Sequence, residues 1–207
     1  MRSPLTTVAD LKVSDIGFSS IKGLVGAGVL TGQAAIDVAA LLRGRRAENA
    51  GWLTHTYIVT KAEPDGRVWI VEAMPQGARS VVLVNKDRLT SGFVWVRLPD
   101  DAGPPGWQSM AATAATQMVG TPYGYGQYLA LAAMTLTGAR PTGWLARFVG
   151  LRHPTTGLPV QVICSQLVDE ALRLAGVHVF TDGRPPQYVT PGALFWRLAQ
   201  LGHVYVC

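Results

Sequence analysis

Two cysteines, Cys164 and Cys207, are all that 207 residues provide. So few exclude a disulfide-built scaffold and fit a reducing compartment, although one bridge between the two is compatible with the count. Charge is scarce as well, at 15% of residues against 48% hydrophobic, so the chain has ample material for one buried core. No apolar run is clean enough to span a bilayer. The nearest, 24–42, contains Gln33 and Asp37, and a carboxylate at mid-bilayer costs several kcal/mol. It reads as an amphipathic helix packed on protein, with interfacial binding as the lesser option. Residues 1–10 have no apolar h-region, so no secretory leader is expected. Zinc-finger spacing, a phosphate-loop lysine and an aromatic RNA-binding signature are all missing. The glycines of 23–28 do not make a dinucleotide loop. Neither a metal nor a cofactor is expected, and neither is nucleic acid. The net charge of +5 is scattered except at Arg43-Gly44-Arg45-Arg46, which suits a helix C-terminus.

What is present is a succession of short, β-branched and aromatic segments followed by helical ones. A lead-in and strand are expected over 10–20, then a glycine- and alanine-rich helix over 21–43. Strands follow over 50–60 and 67–73, joined by the turn Glu63-Pro64-Asp65-Gly66, and again over 78–84 and 92–98. Residues 107–119 read as a helix, and 122–126 as an aromatic loop. Residues 127–151 form an apolar, partly helical stretch, and 163–175 a helix closed by Gly176. Thr190-Pro191-Gly192 opens a last helix, and 203–207 reads as a closing strand. Helices and strands are segregated, so the fold class is α+β, in one domain over 1–207.

Three pieces of this chain carry possible chemistry. Cys164 opens a helix whose Val168, Ala171, Leu172 and Ala175 continue an apolar stripe, which aims the sulfur at the sheet. A buried cysteine is ordinarily a small hydrophobe. At a helix start, however, uncapped N–H groups favour a thiolate, the reactive form. Ser165 and Gln166 are expected to leave that helix start open to solvent or ligand. His55 lies in the strand-like run Thr54-His55-Thr56-Tyr57, where a structural imidazole is the ordinary outcome. Folding at 63–66 brings it opposite Glu72-Ala73-Met74, where Glu72 could orient the ring, provided the register puts both on one face. Otherwise Glu72 is an exposed strand carboxylate. Tyr123, in Tyr123-Gly124-Tyr125-Gly126, could donate to an oxyanion or simply cap the core. His153, His178 and His203 have no partners nearby in sequence and read as structural.

The order of these segments resembles the circularly permuted branch of NlpC-type, papain-like cysteine hydrolases, the YiiX-like proteins. The matching residues are Asp15-Ile16-Gly17-Phe18, Thr54-His55-Thr56-Tyr57, Val71-Glu72-Ala73, Tyr123-Gly124-Tyr125 and Cys164-Ser165-Gln166-Leu167-Val168. One departure is Val13-Ser14 where relatives carry a glycine-containing turn. The resemblance implies a permuted papain-like fold, an antiparallel sheet or barrel packed on the cysteine helix, with insertions at about 21–46 and 127–151. It implies Cys164 as nucleophile, His55 as base and Glu72 as the third residue, with Tyr123 and Ser165 near the oxyanion or substrate.

The expected activity is cleavage of an amide, peptide or acyl bond through a thioester, peptidoglycan peptides being one substrate class. Two alternatives use the same sequence. One is a structural or assembly protein, such as a bacteriophage tail component, that keeps the fold without turnover. The other is a lipid acyltransferase that hands the acyl group to an alcohol or amine. A cytoplasmic or virion-associated protein is expected in each case.

Overall fold

The computed structural model describes residues 8–21, 23–42, 52–83, 93–127, 151–184 and 186–206. Six antiparallel strands form one sheet in the order β4-β3-β2-β1-β5-β6. They are β1 (Ile16–Ser19), β2 (His55–Ala62), β3 (Val68–Met74), β4 (Gly77–Leu83), β5 (Val94–Arg97) and β6 (His203–Val206). Among the described residues the α-helices are α1 (Gly23–Leu42), α2 (Trp107–Gln117), α3 (Cys164–Leu174) and α4 (Pro191–Leu201). The class is therefore α+β. The apolar expectation for 128–150, the arginine cluster at 43–46 and Cys207 lie outside the described residues.

Alternation along the strands divides the core in two. Ile16 and Phe18 of β1, Ile58 of β2, Val71 of β3 and Val94 of β5 pack with Trp107 of α2 and Leu167, Val168 and Leu172 of α3. The opposite residues, Tyr57, Val59, Val68, Ile70 and Trp95, form a second cluster with Val8 and Leu11. Each fully buried side chain of this size contributes on the order of 2 kcal/mol. That is what holds α3 against β2 and β3.

Local sequence sets the connections. The β2–β3 hairpin closes with Gly66 in the left-handed region (φ 85°) and its N–H donating to Glu63 O. A two-residue turn follows at Pro75-Gln76, and Met74 pairs with Gly77. The aspartate of the Asp15-Ile16-Gly17 segment is an anchor: Arg97 on β5 grips both of its carboxylate oxygens, at 2.8 and 2.6 Å. Just before it, Ser14 has φ 71°, a conformation that suits glycine. That is the place where the resemblance leads one to expect a glycine-containing turn. Thr190 caps α4 by accepting from Ala193 N–H, with Pro191 in the first turn. Helix α1 runs unbroken through its glycines, held by Gln33. Its amide donates to Leu53 O and accepts from Gly192 N–H, tying α1 to the β2 lead-in and to the start of α4.

Candidate active site

His55 is the first residue of β2, and Cys164 is the first residue of α3. Both stand at element ends, where side chains from different layers can meet. The β2–β3 register pairs Tyr57 directly with Glu72. Two residues further on, His55 and Glu72 are diagonal neighbours on one face, within reach of long side chains. His55 Nε2 lies 2.9 Å from Glu72 Oε2. The cross-strand couple predicted from the turn is formed, by the diagonal rather than by direct opposition. Glu72 is fully buried, not an exposed strand carboxylate.

Packing fixes the ring plane. The Tyr57 ring lies 5.7 Å from the His55 ring and 5.2 Å, edge to face, from Trp95. It lies directly over Gly17, where an added Cβ would come within 2.0 Å of it. Glycine in β1 thus gives Tyr57 its seat, and Tyr57 flanks the imidazole.

Cys164 is the imidazole's other polar neighbour, near enough to act on its proton. Nε2 is taken by Glu72, so Nδ1 is the nitrogen left for the sulfur. Nδ1 meets no partner at conventional hydrogen-bond geometry, so the thiol contact is long or bent. Such looseness is common in apo sites. Burial alone would lower the His55 pKa. The hydrogen bonds to Cys164 and Glu72, with the charges of both, outweigh it and raise the pKa from 6.5 to about 9. The imidazole accordingly holds its proton at neutral pH while the sulfur stays beside it.

The helix start is set by the segment just before it. Tyr123 and Val162 form a parallel bridge, with Val162 N–H donating to Pro122 O and Gly124 N–H to Val162 O, each at 3.0 Å. This pins the chain two residues before Cys164. Helix α3 then begins at an extended Ile163 with no side-chain cap. Tyr123 itself is buried and stacks edge to face on Tyr125, whose hydroxyl donates to Pro75 O.

One expectation needs correction. Ser165 and Gln166 do not leave the helix start open, being 0% and 2% exposed. The Ser165 hydroxyl donates to Val189 O at 2.6 Å, which anchors its side chain. The physical reason is that α3 is buried on its polar side too. Glu170, fully buried, accepts from Arg152 of the 151–159 segment and from Arg173 one turn on, with contacts of 2.6 and 2.7 Å. Beside it, burial and the Glu170 charge push the Asp169 carboxyl up to about 7.

Sequence reading also missed Arg79. It stands directly opposite Glu72 on β4 and donates through Nε and Nη2 to Glu72 Oε1 at 3.0 and 2.8 Å. The signal was available: a cation seven residues past the carboxylate, on the next expected strand. Among the described residues, no three of His, Cys, Asp and Glu are grouped to hold a metal ion. Nor, among them, is any helix long and apolar enough to cross a membrane.

A thiol, an imidazole and a carboxylate in sequence, all nearly free of solvent, are costly to bury. Cys164 is not half of a disulfide. The grouping makes this the candidate site of the described residues. No family model matches this sequence, and no curated protein matches it.

Proposed function

We propose that the chain is a cysteine hydrolase of the permuted papain-like, NlpC-type kind, acting on an amide, peptide or ester carbonyl through a thioester. The observation that carries this reading is His55 held 2.9 Å from Glu72 with Cys164 as its other polar neighbour. That is the nucleophile, base and orienting group of a thiol triad.

The Cys164 thiolate attacks the carbonyl carbon. A C–S bond forms, and the carbonyl electron pair moves onto oxygen, toward the uncapped N–H groups at the start of α3. Imidazolium His55 gives its proton to the leaving nitrogen or oxygen as that bond to carbon breaks. The thioester no longer carries the sulfur charge that helped hold the proton, while burial still presses the pKa down. His55 therefore becomes a base. It takes a proton from water, which attacks the thioester, and the thiolate leaves. Transfer of the same acyl group to an alcohol or amine would make the protein an acyltransferase.

With Cys164 only 1% exposed, the substrate must displace its cover. Small acyl donors are thus the probes of choice. Brief reaction with p-nitrophenyl acetate, followed by acid quench and peptide mass spectrometry, is expected to show one acetyl group on Cys164. His55→Ala should remove it. Acetylation elsewhere only, or undiminished in His55→Ala, would count against the reading. Cell-wall zymography of wild type against Cys164→Ala then tests peptidoglycan as substrate.

A further inference from the structure

Glu72 is wholly buried, and its two oxygens are divided between two partners. Oε2 accepts from the His55 ring and Oε1 from Arg79. The register makes this division systematic. Glu72 and Arg79 are direct cross-strand partners, two residue pairs from the tight turn at Pro75-Gln76, so the β3–β4 ladder keeps the guanidinium within reach of the carboxylate. Nε and Nη2 converge on one oxygen, which fixes the carboxylate plane and leaves the other oxygen for the imidazole. Among the described residues, His55 from β2 and Arg79 from β4 face this carboxylate. The Arg79 side chain is 48% exposed, whereas Glu72 is 0% exposed. A line of polar groups thus runs from the covered sulfur outward to a half-exposed cation.

We propose that Arg79 is a fourth member of the constellation, a positioning residue that acts on Cys164 only through Glu72. The assignment rests on the triad reading above. Arg79 touches neither the sulfur nor the imidazole, so any effect on thiol reactivity must pass through the carboxylate. Without the guanidinium, Glu72 is a buried carboxylate that has lost the fork on Oε1. It then rotates, or takes up a proton as pH falls, and the imidazolium loses its acceptor. Lysine offers a point charge without the fork and should replace arginine only in part.

The test is the rate of Cys164 carbamidomethylation by iodoacetamide, followed from pH 5 to 10 in wild type, Arg79→Met, Arg79→Lys, Glu72→Gln and the Glu72→Gln/Arg79→Met double variant. Each sample is first checked for cooperative unfolding. Arg79→Gln, which keeps a donor, replaces Arg79→Met should that variant not fold. The acid limb in Arg79→Met is expected to move up by about one pH unit, a loss of rate that is a few-fold near pH 6 and approaches tenfold at the acid end of the range, with rates converging at pH 10. Arg79→Lys should fall between. In the Glu72→Gln background the same substitution should change nothing further, since its route is gone. A profile for Arg79→Met that overlays wild type overturns the assignment. So does an equal loss in the Glu72→Gln background. A wild-type profile that rises only with an ordinary thiol pKa removes the triad reading itself, and this assignment with it.

Discussion

Replacing His55 with alanine is expected to slow alkylation of Cys164 at pH 6 by a factor on the order of 10². An unassisted thiol with the ordinary pKa of about 8.5 is less than ~1% thiolate at that pH. Burial in an apolar setting reduces the fraction further. The imidazole opposes this, because it holds its proton up to about pH 9 through its bonds to Cys164 and Glu72. Wild type should therefore alkylate at a rate that stays nearly level from neutral pH down to about pH 6. The variant should lose a factor of about ten for each pH unit below 8.5. Above pH 10 the two curves should meet, for the thiol then ionises unaided. Stopped-flow or mass-spectrometric alkylation against pH measures this directly. Parallel curves separated by a constant factor would point to steric access rather than proton transfer.

The second large effect concerns turnover. Cys164→Ser is expected to reduce steady-state hydrolysis of an activated ester on the order of 10⁴-fold or more, to the level of the surrounding polar groups alone. The hydroxyl is nearly isosteric with the thiol but ionises far less readily, and the site is arranged for a soft, easily charged nucleophile. Fold loss is a small part of this effect. The residue sits at the start of α3, whose hold on the sheet comes from Leu167, Val168, Ala171 and Leu172. The thermal midpoint should therefore move by only a few degrees, which a melting curve would show. Retention of more than a tenth of the activity would assign the hydrolysis to another group.

Much of the architecture was legible because it is local. The turn at Glu63–Gly66 and the alternation around it predicted β2 and β3, and with them the His55–Glu72 couple. The Thr190-Pro191 cap predicted α4, and Gly176, at φ 81°, ends α3 as expected. Other features were not local. The sheet order depends on β1 lying between β2 and β5, a pairing fixed by the Arg97 grip on Asp15 across 82 positions of sequence. The start of α3 looked open because nothing in its own sequence reveals what covers the helix, as when Arg152 reaches Glu170 from a loop. Ser165 looked available for the same reason, since its acceptor, Val189 O, is 24 residues away. Arg79 was overlooked because its importance lies in register rather than in motif.

The central claim is that sulfur and imidazole share a proton in one buried site. Site-resolved NMR titration of the His55 ring, in wild type and in Cys164→Ala, tests it most directly. The account predicts a wild-type midpoint near pH 9 that falls clearly when the sulfur is removed, because Cys164 contributes to holding that proton while burial opposes it. A ring that titrates at the same pH with and without the sulfur, or near the ordinary 6.5 in both, would contradict it.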